Sequence, residues 1–424
     1  MNVRPFPAPS PFPRQDAKRI AILCPRGIDN VLNAETQAIV EGLAYYNVWS
    51  EVFDLWESRE VGVRQLLTAQ YDAVYAVVGS QLVQGPDRWN TDVLELLDSP
   101  LLLRLADPPF TRRYLSAIEP FRYDTNVSCR DLHSAGFLQK VGIAQSNIHY
   151  LPGRFNGDRI DQAAARVTLA DRDVPFIYVA TVESINAIEA YARQILPDRL
   201  DVVVALSDAL LTEASLPAWQ VAEEVYSSLG NDLVPYRGLG RGLLDLANRH
   251  ANARFRNTLI ERLARFDGVL VLDRNYEPPR SRSGWRARVL GPARQDDAVK
   301  LMQRSRIVVA TPPNFCVGAV SERVYWAMAA GAVSLALRTP AMDRHFDVGR
   351  DYRSYDRAFT GLEEALTTAS ERPGDLQAVA DSGRLQVHAA FAHVPNVREL
   401  FRPLLDIGQP NANVASTRSM GGAA

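Results

Sequence analysis

Short apolar runs bounded by turn residues recur along this chain, and stretches with apolar residues three and four apart lie between them. Residues 19–24, 50–55, 72–79, 101–106, 122–127 and 147–151 are runs of the first kind, the pattern of strands buried on both faces of a parallel sheet. Residues 34–46 and 92–97 are amphipathic and predict helices. Alternating strand and helix implies a doubly wound α/β sheet, whose ligand approaches from the carboxyl ends of the strands. Those ends carry Pro25-Arg26-Gly27-Ile28-Asp29-Asn30, Gly79-Ser80-Gln81 and Asp107-Pro108-Pro109. Leu151-Pro152-Gly153-Arg154 has the turn residues of a crossing between domains.

A second alternation begins at Pro175. Residues 176–180 read as a strand, 183–195 as a helix and 201–205 as another strand. From 206 to 265 the pattern turns helical and charged, which predicts extra helices in or on a second domain. Residues 268–272, 287–290 and 306–310 resume the sheet, and 362–368 and 375–388 are closing helices. The segment 305–356 is the most telling. Its buried runs 306–310 and 332–337 flank a helix over 322–330, which Ser321 can cap and Gly331 can end in the left-handed conformation. The helix then starts beside the carboxyl end of a parallel strand, where free N–H groups and the helix dipole favour a phosphate or diphosphate.

At 424 residues the chain is long enough for about two domains. A net charge of -2 gives no bulk electrostatic case for nucleic acid or an anionic membrane. Lysine occurs only at Lys18, Lys140 and Lys300, the arginine bias of a GC-rich, bacterial genome. Cys24, Cys129 and Cys316 are an odd number without CxxC spacing, which argues against a disulfide framework or zinc site and for a reducing cytoplasm. No run reaches the length of a membrane span. The expected organisation is a Pro-rich arm over 1–17, a first domain over 18–152, a second over 153–392, a helix returning to the first domain over 393–408, and a polar tail over 409–424.

The run Asn314, Ser321-Glu322-Arg323-Val324-Tyr325, Ala327-Met328-Ala329-Ala330-Gly331-Ala332, Thr339-Pro340 and His345-Phe346-Asp347-Val348-Gly349 resembles the C-terminal half of GT-B glycosyltransferases, most of all the spore-maturation CgeB-like, "glycosyl transferases group 1" type. Arg256, Leu259, Ile260 and Leu263 are similar to that family's Arg-x-x-Leu-Leu-x-x-Leu helix. The resemblance implies two Rossmann-like domains facing across a cleft, the second holding a nucleotide-sugar donor and the first an acceptor such as a glycan, a protein or a small metabolite. It also shows a departure. Many relatives carry a ribose-binding carboxylate immediately before Ala-Met-Ala, and here that position is Trp326; Glu322, one turn earlier on the same face, could take its place.

Sugar transfer requires stabilisation of the charge growing on the leaving nucleoside diphosphate and, where the anomeric centre is inverted, a base for the acceptor hydroxyl. The first task is assigned to the amides around Ser321, Glu322, Arg323 and Val324, with the guanidinium groups of Arg323 and Arg256 and with Asn314. The donor is then a co-substrate, and neither a metal nor another cofactor is needed. The second task falls to the first domain, where Asp107 is preferred, with Asp29 and Glu35 behind it; a turn cap before Pro108 is the alternative role for Asp107. Glu183 is the remaining cleft candidate, since the resemblance puts its strand-to-helix turn near the donor.

Other motifs carry less. Asp171-Arg172-Asp173 spells a DxD that falls before a strand, and Gly238-Leu-Gly240-Arg-Gly242 lacks the third glycine of a dinucleotide loop. His133 and His149 have no ligand-like partners in the sequence. Two other readings stay open at this point: a GT-B-shaped binding or scaffold subunit that lost donor chemistry at Trp326, and a nucleotide-sugar epimerase. The sugar, the base and the oligomeric state are not encoded in any motif.

Overall fold

The computed structural model describes residues 18–23, 31–53, 59–78, 99–105, 107–111, 126–153, 160–230, 232–273, 276, 283–312, 316–391, 397–402, 404–405 and 407. Asn314, Asp29, the expected helix over 92–97, the arm and the tail lie outside the described residues.

Two six-stranded parallel sheets organise the chain. The first contains β1 (Arg19–Leu23), β2 (Trp49–Phe53), β3 (Ala73–Val78), β4 (Leu101–Leu105), β5 (Asn126–Cys129) and β6 (Ile148–Tyr150), in the order β2-β1-β3-β4-β5-β6. The second contains β7 (Val174–Ala180), β8 (Val269–Leu272), β9 (Arg288–Leu290), β10 (Ser305–Ala310), β11 (Val333–Leu337) and β12 (Arg353–Tyr355), in the order β12-β11-β10-β7-β8-β9. Strand order reverses between β1 and β3 in one sheet and between β7 and β10 in the other. Each reversal opens a crevice at the carboxyl ends of two neighbouring strands, because their connecting helices leave to opposite faces. Thus the fold is α/β with two doubly wound sheets, as the alternating pattern predicts.

Helices α1 (Val31–Tyr45), α2 (Arg59–Thr68) and α3 (Ser134–Lys140) belong to the first lobe. The second has α4 (Gln162–Ala165), α5 (Ile185–Ile195), α6 (Leu200–Thr212), α7 (Ala218–Ser228), α8 (Gly238–Leu263), α9 (Gln295–Arg304), α10 (Glu322–Ala329), α11 (Pro340–His345), α12 (Leu362–Glu371) and α13 (Gln377–Phe391), and α14 (Val397–Phe401) follows. One expected strand is wrong: residues 201–205 are helical, inside α6. Their valine run suits a strand locally, but Val202, Val203, Leu206 and Leu210 share one helical face and are buried in the same core as α8. Gly331 ends α10 at φ 72°, and a Cβ there would overlap the Ala165 carbonyl, so only glycine fits.

Two details couple the lobes. Arg104 lies buried in the middle of β4, donating from Nη1 to the Leu151 carbonyl at 2.9 Å and from Nη2 to that of Pro152 at 3.4 Å. The crossing strand is therefore fastened to the first sheet until Gly153, where an added Cβ would come within 2.9 Å of the Tyr325 ring on α10. Further on, α14 packs on the first lobe: Val397 faces Gly42 of α1, and the Phe401 ring lies 5.7 Å from that of Tyr75 on β3.

Candidate functional site

The crevice between β7 and β10 is where the chemistry gathers. Helix α10 opens there from Ser321, whose backbone is in the extended capping conformation while its hydroxyl makes no cap bond. The Val324 N–H donates to the Ser321 carbonyl at 3.0 Å, so this amide is engaged within the first turn. Arg323 is half-buried and has no hydrogen bond or ion pair among the described residues. Burial lowers its pKa first, and the nearby positive charge of Arg256 lowers it further, against smaller opposing effects of Tyr178 and Glu322.

Arg256 comes from α8 and donates from Nη1 to the Thr181 carbonyl, just beyond β7, at 2.6 Å; its Nε is buried without a partner. The Tyr178 hydroxyl, on β7, is likewise buried without a partner. Two guanidinium groups near each other, with unused donors and no carboxylate paired to them among the described residues, make a site of excess positive potential. Paired N–H forks of this kind suit phosphate oxygens. Tyr355 closes the floor, donating to the Ala310 carbonyl at 3.0 Å.

The expected site residues divide by position. Ser321, Arg323, Val324 and Arg256 meet at this crevice. Glu322 instead turns across the cleft and forms an ion pair with Arg130, just after β5, both side chains being largely buried. Glu183 stands in the loop after β7 but is gripped bidentately by Arg249 of α8, with contacts of 2.6 and 3.1 Å. This pairing also raises the pKa of Arg249. Trp326 is buried inside the second lobe.

Asp107 lies across the cleft, half-buried, close enough for its charge to help raise the Cys316 thiol. Its neighbour there is Asp131, a residue the sequence reading passed over. The Asp131 carboxylate accepts the His133 N–H at 2.9 Å and a hydrogen bond from the Cys316 thiol. Burial nonetheless raises its pKa. One signal was available: Arg130-Asp131-Leu132-His133-Ser134 is a polar run at the carboxyl end of a strand, where parallel sheets place ligands.

The lobes meet around these residues. The Leu132 N–H donates to the Gly318 carbonyl at 3.2 Å, Trp219 Nε1 of α7 donates to the His133 carbonyl at 3.2 Å, and the Tyr150 hydroxyl pairs with His345 Nε2 at 3.2 Å. Phe110 and Phe137 of the first lobe share a hydrophobic core with Trp219. A small pocket remains at this seam, with Asp131, Phe110, Ser134, Trp219 and Cys316 among its walls.

Asp171-Arg172-Asp173 has structural work. Arg172 is buried and donates to the carbonyls of Ser305 and Ala330 at 2.9 and 3.1 Å, and Asp173 pairs with Arg304. No cluster of three or more His, Cys, Asp or Glu suited to a metal occurs among the described residues.

Residues 252–402 match a family model described as glycosyl transferase-like. No curated protein matches the sequence. Among solved structures, HepE of Anabaena in complex with UDP-glucose is similar at 13% identity and a TM-score of 0.50, over 91% of this chain and 99% of that one. A glycosyltransferase from Rickettsia africae is similar at 9% identity and a TM-score of 0.51, over 96% and 100%. T4 phage BGT in complex with UDP-glucose is similar at 12% identity and a TM-score of 0.50, over 92% and 99%. Two parallel sheets facing each other, with excess positive charge at the switch point of the second, thus belong to a chain of GT-B glycosyltransferase fold that carries a glycosyl transferase-like region over residues 252–402.

Proposed function

We propose that this protein moves a sugar from a nucleotide-sugar donor to an acceptor hydroxyl, with the donor diphosphate held at the start of α10. The observation that carries the reading is the pair Arg323 and Arg256, two neighbouring guanidinium groups with no carboxylate paired to either among the described residues. A diphosphate supplies the missing charge. As the bond to the sugar breaks, negative charge grows on the leaving phosphate, and both guanidinium groups stabilise it in an environment poor in water. The acceptor enters from the first lobe, across the seam. Neither step requires a metal. The finer assignments, a CgeB-like member working in a bacterial cytoplasm on a glycan, protein or metabolite, rest on the motif resemblance and on the spacing of the three cysteines.

HepE and BGT were solved with UDP-glucose, so UDP-sugars are the first donors to try, with GDP- and ADP-sugars beside them. Thermal unfolding of the protein with each nucleotide sugar tests the reading. A bound donor at 100 times its dissociation constant adds about 2.7 kcal/mol of stability, a clear rise in Tm. Absence of a rise with every donor would overturn the donor site.

A second reading has one specific observation behind it. Trp326 replaces the carboxylate that the resemblance assigns to the ribose, and Glu322, the nearest substitute, is occupied by Arg130. A binding subunit without turnover fits that departure. It predicts that the donor raises Tm while no nucleoside diphosphate is released in the presence of any acceptor.

A further inference from the structure

We propose that Arg130 is a positioning residue for donor binding: it cancels the Glu322 charge at the mouth of the diphosphate site, so that donor affinity depends on closure of the first lobe over α10. The inference rests on the transferase reading above. Glu322 is the first residue of α10, and a carboxylate there is drawn to the positive end of the helix dipole. A donor diphosphate would use that same end, so the two anions compete for it. The Glu322 charge is also felt at Arg323, where it works to raise the guanidinium pKa. An anion held by Arg323 therefore feels Glu322 too, as repulsion.

Arg130 answers this charge from across the cleft. It directly follows β5 and forms an ion pair with Glu322 in which both side chains are largely buried. Enclosure matters, because a pair withdrawn from water is screened much less than a surface pair. The residues after Arg130 fix its place. The Asp131 carboxylate accepts from the Cys316 thiol, the Leu132 N–H donates to the Gly318 carbonyl at 3.2 Å, and a Cβ on Gly318 would overlap Asp131 and His133. Residues 130–133 are thus seated on the loop that leads into α10. All of these contacts cross between the lobes, so an open protein would present Glu322 to the donor with Arg130 withdrawn.

Arg130 and Glu322 act on an anion with opposite sign, which separates this role from a plain structural tie between the lobes. Relative to the wild-type pair, Arg130→Gln leaves one more negative charge beside the diphosphate, Glu322→Gln leaves one more positive charge, and the double variant leaves the balance as it was. A tie that only holds the lobes together is broken equally by all three.

The wild-type protein is first screened by thermal unfolding with UDP-, GDP- and ADP-sugars, and the nucleotide sugar that raises Tm most is titrated calorimetrically into each variant. Arg130→Gln is expected to weaken donor binding by about 10-fold or more, Glu322→Gln to tighten it, and adding Glu322→Gln to Arg130→Gln to restore about the 10-fold that was lost. Unchanged affinity in Arg130→Gln, or a double variant no tighter than Arg130→Gln alone, would overturn the role of Arg130. If Arg130→Gln does not fold, Glu322→Gln decides: tighter binding than wild type supports the proposal, and equal or weaker binding overturns it. A wild-type protein that no donor stabilises would overturn the donor site and this inference with it, whereas the other failures leave the donor site standing.

Discussion

Arg323 illustrates how a single side chain can be unfavourable for the fold and useful for the ligand. Its charge is enclosed beside a second guanidinium and has no counter-ion among the described residues, so the empty protein bears a desolvation cost. Arg323→Met should leave the ligand-free protein at least as stable as wild type by urea unfolding, and should abolish the donor-induced Tm rise of about 2.7 kcal/mol equivalent. A destabilised variant that still responds to donor would exclude the site. Much at this scale was legible in the chain: the spacing of Ser321, Arg323 and Gly331 placed a helix start, a guanidinium and a left-handed stop, and all three stand at α10. The partner of Glu322 was not legible. Nothing in the residues around Arg130 signals that it reaches α10, because the contact lies between two lobes far apart in the sequence.

At the scale of elements, strand pairs were easier to read than helices. Runs such as Leu101–Leu105 and Val333–Leu337 are buried along their whole length and leave no polar face to confuse the pattern. Residues 201–205 misled because three consecutive valines satisfy a strand locally, while the later leucines at helical spacing decide the outcome by packing on α8. Gly331→Ala tests the other end of α10: a side chain at φ 72° facing the Ala165 carbonyl should cost about 1–3 kcal/mol in urea unfolding. Helix α7 offers a second test. Trp219 fills the seam between lobes, and Trp219→Ala should cost about 3–5 kcal/mol and loosen the lobes, visible as faster proteolysis at the seam. Unchanged stability would mean that the shared core contributes little to holding the two sheets together.

Across the whole molecule, three histidines set a pH response. His149, His250 and His388 all have pKa values lowered by burial. Above pH 6.5 they are neutral in both the folded and the unfolded chain and cost nothing. As the pH falls below 6.5 the unfolded chain takes up protons that the folded one resists, so stability declines through the window between the unfolded and folded pKa values. In Asp131→Asn, which removes the opposing proton uptake of a carboxyl whose pKa burial raises, the urea midpoint should therefore drop from pH 7.5 to pH 5.5, and a flat profile would contradict the burial of these rings.

Arg104 determines where any swing between the lobes can begin. By tying the carbonyls of Leu151 and Pro152 to the first sheet, it moves the pivot to Gly153, which abuts Tyr325 on the helix that also bears Arg323. In the proposed transferase, opening of the cleft would then press on the helix assigned to the donor diphosphate, which would couple release of the spent nucleotide to separation of the lobes.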